Sequence, residues 1–249
     1  MGRLDICWVT AFLDVAPEKF APSLAFWSRV TASEPSSRRS DKAEFVTLVP
    51  PSGDPYLRVQ QTADGSSGVH LDLHVPSIPD ARRHAESAGA VLVADRGCAV
   101  MASPGGFTFC LVPDQGERTV PDVVPVPAPH RVDQVSIDVP DAQFEEETRF
   151  WQALTGWESQ RSAMPEFAPF LRPAGIPIRL LLQRLGNDDS AEHARAHLDL
   201  ACGDAIAVVA GRQLGHGASL VRTETYWTTL TDPTGSEYCL TRRDPALAS

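Results

Sequence analysis

The chain is written twice. "FWSRVT" at Phe26 returns as "FWQALT" at Phe150, and "EFVTLVP" at Glu44 returns as "EFAPFLRP" at Glu166. "LRVQ" ending at Gln60 returns as "LLLQ" ending at Gln183, and "HLDL" at His70 returns unchanged at His197. Gly89-Ala90 returns as Gly217-Ala218, and "SPGGFTFCL" at Ser103 returns as "DPTGSEYCL" at Asp232. The matches keep one order, and each second copy lies between 122 and 129 residues after the first, so loop insertions explain the drift. A tandem duplication follows, and the fold must be a unit that can be built twice from one pattern.

The join between copies is visible as composition. From Pro113 to Pro129 the chain reads "PDQGERTVPDVVPVPAP", dense in proline and without helical or strand periodicity. We expect domains at 1–115 and 130–249 with a Pro-rich linker at 116–129. Within a copy, apolar alternation predicts strands at Ile6–Val15, Phe45–Val49, Tyr56–Gln60, the His70 segment, Cys98–Met101 and Phe107–Val112. Ala81, Ala85 and Ala88 recur at helical spacing before Gly89, which predicts a helix from about Asp80 to Ala88 with a glycine cap. In the second copy Phe144, Thr148 and Trp151 share one helical face behind Asp141 as the expected N-cap, and Ile206 to Leu214 is the other helix.

Charge removes several partners. The 249 residues carry 22 Lys and Arg against 32 Asp and Glu, a net charge of −10 that repels phosphate backbones and anionic lipid surfaces. No segment approaches the roughly 20 apolar residues of a membrane span, and the N-terminus lacks a cleavage pattern, so a cytoplasmic protein without nucleic-acid or membrane partners is expected. Five cysteines, odd in number and never spaced as CxxC, argue for packed thiols over a disulfide framework or structural zinc. No nucleophile elbow, HExxH or phosphate loop is present.

Strand parity predicts where function sits. In "HLDLHV", His70, Asp72 and His74 share one face, and Leu71, Leu73 and Val75 the other. The leucines should pack on helices while the polar face looks into the concavity of a curved sheet. The same parity places His197 and Asp199 together, and Gln134, Ser136 and Asp138 together. Glu237 and Cys239 alternate against Tyr238 and Leu240.

The ordered set "FWxxxTG" (Phe150, Trp151, Thr155, Gly156), "HLDL", "GA" and "DPxGxEYCL" resembles the vicinal oxygen chelate superfamily, and in particular its glyoxalase-like domains. The resemblance covers nearly the whole chain. It implies an α+β protein of two tandem glyoxalase/bleomycin-resistance-like domains, each built from paired βαβββ modules that form a curved sheet cup. It also implies one divalent metal ion in the C-terminal cup, at His197, Glu237, Gln134 and Gln183, with Glu237 as ligand or proton shuttle. The matching places in the first half, Thr10, Gln60, His70 and Thr108, retain a single ligand type, so only the second half is expected to hold a site. Asp199, Trp157 and Trp227 are candidate substrate contacts, the tryptophans as walls for a planar ligand.

Two functional classes follow. One is a metal-dependent enzyme of lyase, isomerase or dioxygenase type acting on a small oxygen-rich organic molecule. The other is a metal-free protein that binds or sequesters a drug or metabolite in the cup. A small-molecule ligand is the expected partner in both, with the chain as monomer or homodimer.

Overall fold

The computed structural model describes residues 4–38, 44–186 and 189–246. The first copy forms an eight-stranded sheet from β1 (Trp8–Val15), β2 (Glu34–Pro35), β3 (Phe45–Val49), β4 (Leu57–Gln61), β5 (Gly68–Val75), β6 (Val91–Asp95), β7 (Ala99–Ala102) and β8 (Thr108–Pro113). Its strand order is β2-β3-β4-β1-β5-β8-β7-β6. Helix α1 (Phe20–Val30) follows β1, and α2 (Ile78–Ala88) follows β5.

The second copy repeats this with β9 (Arg131–Val139), α3 (Phe144–Thr155), β10 (Phe167–Pro169), β11 (Arg179–Arg184), β12 (Arg195–Ala201), α4 (Ile206–Leu214), β13 (Ser219–Thr223), β14 (Trp227–Thr231) and β15 (Glu237–Thr241). Its seven-stranded sheet runs β10-β11-β9-β12-β15-β14-β13. Both sheets are open and curved, and the inner strands β1 and β5, or β9 and β12, are antiparallel neighbours where two modules meet. No helix among the described residues is long and apolar enough to cross a membrane.

The local signals act as expected where a single residue can supply them. Ser77 accepts the Asp80 N–H at the start of α2, and Gly89 closes the helix in the left-handed region at φ 116°. Asp141 does not cap α3. It opens a 3-10 turn at Asp141–Gln143 after Pro140, which moves the helix start to Phe144, and its carboxylate instead accepts from Arg184 Nη1 at 2.6 Å. The short strands β6 and β13 were not anticipated. β13 is exposed along its whole length, as expected of an edge strand with little burial to pattern its sequence.

Parity sorts the inner strands as the sequence demands. Leu71, Leu73, Val75, Leu198 and Leu200 are all buried on the side away from the cup. That side faces the other sheet, and β5 and β12, the two "HLDL" strands, approach each other across the interface. Helix α1 carries Phe26 and Trp27 onto Tyr238 of β15, with ring centroids 5.8 and 5.2 Å apart. Helix α3 reciprocates, with Phe150 and Trp151 lying 6.0 and 5.4 Å from Phe109 of β8. One continuous apolar core therefore runs through both halves.

Each buried indole N–H in this interface needs an acceptor, and the two copies provide it from opposite sides. Trp27 Nε1 donates across the interface to Asp232 Oδ2 at 3.1 Å, while Asp232 Oδ1 holds the following turn through Thr234 and Ser236. Trp151 Nε1 donates to Glu147 Oε1 in its own helix at 2.8 Å, and Glu147 Oε2 accepts the Gly105 N–H of the first half at 2.7 Å. Ser23 stands where the first copy would have Glu147, and Ser103 where it would have Asp232. A carboxylate on the helix in one copy is exchanged for a carboxylate on the turn in the other. Gly105 fits this exchange, since a Cβ there would sit 2.9 Å from Glu147 Oε2.

Two outcomes follow. Asp232→Ala removes the acceptor of a buried indole and three turn contacts, and should destabilise by about 3 kcal/mol in urea titration. Residues 1–115 expressed alone should lose the Trp27 contribution to the near-ultraviolet circular dichroism, because Phe26 and Trp27 lose the Tyr238 surface, and should keep that of Trp8, which bonds to Pro55 within the same half. A natively packed isolated half would show that the interface is dispensable.

Candidate functional site

Three strands bring the site residues of the second half together. β9 carries Gln134, Ser136 and Asp138 on one face, β12 carries His197 and Asp199, and β15 carries Cys239. Register sets them in rows: Arg179, Gln134, Asp199, Cys239 and Thr229 are successive cross-strand partners over β11, β9, β12, β15 and β14. Leu181, Ser136 and His197 form the next row.

The contacts along these rows are short. His197 Nδ1 lies 2.9 Å from Asp138 Oδ2, and its Nε2 lies 3.2 Å from Asp199 Oδ1 and 3.6 Å from Cys239 Sγ. Asp199 Oδ2 accepts from Gln134 Nε2 at 2.5 Å and Ser136 Oγ at 2.9 Å. Asp199 Oδ1 is buried and faces the His197 ring nitrogen. Donor atoms of His197, Asp199 and Cys239 all lie within 4.8 Å of one another.

Burial by itself would favour a neutral His197 ring, but the charge and hydrogen bond of Asp138, with Asp199 and Cys239, outweigh it and hold the imidazole well above the usual histidine range. Burial would likewise raise Asp199, yet its hydrogen bond to His197 and the charges of His197 and Arg243 hold it below the usual carboxylate range.

This cluster lies in the wall of a cavity of about 400 Å³ in the second cup. Gln134, Gln183, Asp199, His197 and Trp227 line it, and Trp227 packs edge-on against Phe167 at 5.9 Å. Trp157, expected as a second aromatic wall, is instead packed in the core. Glu237 is exposed at the start of β15 and lines a different cavity, of about 410 Å³, together with Asp138, Arg195 and His197.

Asp138, Cys239 and the cavity-lining arginines Arg179, Arg242 and Arg243 were not singled out from the sequence. For Asp138 the signal existed, because parity placed it beside Gln134 and Ser136. Nothing in the sequence marked the arginines, whose convergence depends on strand order.

The first half repeats the constellation. His70 Nδ1 lies 2.5 Å from Asp14 Oδ2 and His70 Nε2 lies 3.8 Å from Asp72 Oδ1, and Cys110 completes a second group of converging donors. Beside His70, the one ligand type expected at the matching places of the first half, Asp72 and Cys110 lie on the same face. Thr10 faces His74, at 2.9 Å, rather than His70, and Thr108 is exposed. What differs is the filling. Phe12 occupies the place of Ser136 and stacks on His70 at 4.4 Å, and Arg58 occupies the place of Leu181, over Phe12 and Phe45 and 3.8 Å from Asp72.

The raised His197 fixes the sign of a pH effect. Its contribution to stability is complete below the unfolded value near 6.5 and is lost as pH rises through the higher folded value. In chelator-treated protein, His197→Gln should cost about 3 kcal/mol at low pH, a buried ion pair having lost one partner. The difference should shrink in urea midpoints taken above about pH 6.5, and a pH-independent difference would remove the imidazolium from this account.

The sequence profile of the glyoxalase-like domain family matches residues 11–112 and again 134–241. No functionally curated protein matches the chain by sequence. Among solved structures, a mutant of 4-hydroxymandelate synthase from Streptomyces coelicolor aligns with a TM-score of 0.63 at 16% identity, over 100% of this chain and 95% of that one. The Mn(II)-bound glyoxalase from Novosphingobium aromaticivorans gives 0.66 at 15% identity, over 100% and 87%. Homoprotocatechuate 2,3-dioxygenase from Arthrobacter globiformis gives 0.62 at 13% identity, over 96% and 80%. At these identities the likeness is one of fold.

Proposed function

Because the chain belongs to the glyoxalase-like domain family, matched over both halves, we propose that its second cup is the active site of a metal-dependent enzyme acting on a small oxygen-rich organic molecule. The observation that carries this reading is the convergence of donor atoms of His197, Asp199 and Cys239, all within 4.8 Å of one another in the wall of the cavity. Without an ion, His197 and Asp199 face each other as a largely buried pair at 3.2 Å, and a divalent cation between the three donors would take the place of the proton on His197. Imidazole, carboxylate and thiolate are the ligand types of zinc and related ions, and three protein donors leave a position open for substrate. Three converging donors of metal-ligand type favour this reading over metal-free sequestration of a ligand.

The ligand set proposed is thus His197, Asp199 and Cys239. Gln134 donates its Nε2 to Asp199 and Ser136, Gln183 lines the cavity wall, and Glu237 lies outside that lining. Bound there, the ion supplies Lewis-acid stabilisation of the negative charge that develops on adjacent substrate oxygens.

The chain's own residues do the rest. Asp138 holds Nδ1 so that Nε2 of His197 faces the cavity, the usual arrangement of a carboxylate behind a ligating histidine. Gln134 and Ser136 hold Oδ2 of Asp199 and leave Oδ1 toward the donors. Phe167 and Trp227 form an apolar wall that excludes water beside the reacting atoms.

Protein purified without chelators, or reloaded with zinc, manganese, iron, cobalt or nickel, should contain stoichiometric metal by elemental analysis. His197→Ala and Asp199→Asn should lose it, and Glu237→Ala should keep it. Uptake should weaken as pH falls, because the ion competes with a proton at His197. Wild-type protein that takes up none of these ions overturns the reading.

A further inference from the structure

We propose that the second cup selects an organic acid, holding the substrate's carboxylate on the guanidinium of Arg179. This rests on the second cup being the active site, and it adds the chemical class of what enters. Three arginines line the cavity, Arg179, Arg242 and Arg243, against a single carboxylate, Asp199. In a chain of net charge −10 that is a local reversal of sign, and a cationic concavity favours an anionic occupant.

The three arginines differ in what they already hold. Arg243 is forked onto Asp133, with Nε and Nη2 at 3.1 and 2.6 Å, and lies 3.7 Å from Asp199 Oδ2. Arg242 donates to the Thr225 carbonyl at 3.0 Å and lies 3.3 Å from Asp204. The Arg179 side chain makes no hydrogen bond and no ion pair among the described residues, and its Nε is buried without a partner. Burial and the neighbouring charge of Arg243 weigh against the protonated form of Arg179 and outweigh the more distant charges of Asp133 and Asp199, so the folded chain holds there a cation without a direct partner. Guanidinium is a planar fork suited to a carboxylate, and such a group left unpaired in a cavity wall is completed by one.

The first half shows the alternative. There Arg58, one row along the sheet, is turned onto Asp72 at 3.8 Å and stacked between Phe12 and Phe45, so that cup satisfies its own guanidinium. In the second half the row from β11 runs Arg179, Gln134, Asp199, Cys239. Arg179 is therefore two strand spacings, about 10 Å in Cα position, from Asp199 and three from Cys239 among the proposed metal donors. Trp227, Phe167 and Leu181 supply apolar wall for the body of the molecule. A small acid with its carboxylate at one end and its chelating oxygens at the other fits this layout.

The test uses calorimetric titration of the full chain with benzoate and phenylacetate, and with the neutral isosteres benzamide and phenylacetamide, in chelator-treated and metal-loaded protein. Each acid should bind more tightly than its amide. Arg179→Met should weaken the acids about ten- to a hundredfold, the range for hydrogen bonds to a charged group, and leave the amides unchanged. Arg179→Lys should recover part of the difference, which guards against a misfolded Met variant. The ligand-free melting temperature of Arg179→Met should not fall, because an unpaired buried cation is removed.

Acids binding no better than amides, no acid binding at millimolar concentration, or equal acid affinity in a folded Arg179→Met protein each overturns the proposal. Acid selectivity in a protein that takes up no metal would sink the metal reading alone. Stoichiometric metal without acid selectivity would sink this proposal alone.

Discussion

Two indole N–H groups, buried between two sheets, set the conditions for everything else in this protein. A tryptophan that presses its ring onto the opposite sheet also brings a donor there, and a donor without an acceptor in that place would cost more than the ring contact gains. Asp232 answers Trp27 from across the interface, and Glu147 answers Trp151 while gripping the Gly105 turn of the other half. Either half alone lacks one side of this arrangement. The helices are thus shared property, and the cups open outward because their backs are closed against each other.

That arrangement explains why the "HLDL" strands carry both core and site. Their leucines lie in the contact between halves, and their histidine and aspartate line the concave faces. The position of His197 is fixed by burial on the far side of the same strand, so a site built on β12 is as rigid as the interface behind it. The twin constellations of Asp, His, Asp and Cys repeat one framework, and substitutions at two neighbouring positions of one row give the two cups different linings. Phe12 and Arg58 fill one cup, whereas Ser136 and Leu181 leave the other open.

Much of the architecture was legible in the chain. The repeat, the strand at Phe45–Val49, the helix from Ile206 to Leu214, the Gly89 cap and the facing of every residue in "HLDL" follow from periodicity and glycine chemistry. Asp141 as a cap did not hold, because a 3-10 turn after Pro140 moved the helix start beyond its reach. Trp157 as a cavity wall did not hold either, since an aromatic in a connecting loop can be drawn into the core by a neighbour that sequence does not reveal. Glu237 shares parity with Cys239, yet it begins its strand and stands at an exposed edge, a distinction that alternation cannot make.

The sequence by itself determined which faces are apolar, that the pattern occurs twice, and which polar side chains look into each cup, because strand parity and helical spacing are local properties of the chain. Only the tertiary structure decided which of those side chains meet. Arg179, Gln134, Asp199 and Cys239 come from four strands far apart in sequence, and their juxtaposition is a matter of strand order and register. The exchanged carboxylates of Asp232 and Glu147 likewise have meaning only across an interface. Side-chain direction is set by a residue's neighbours in the chain, but a site requires neighbours in space, and those are chosen by how the sheets close.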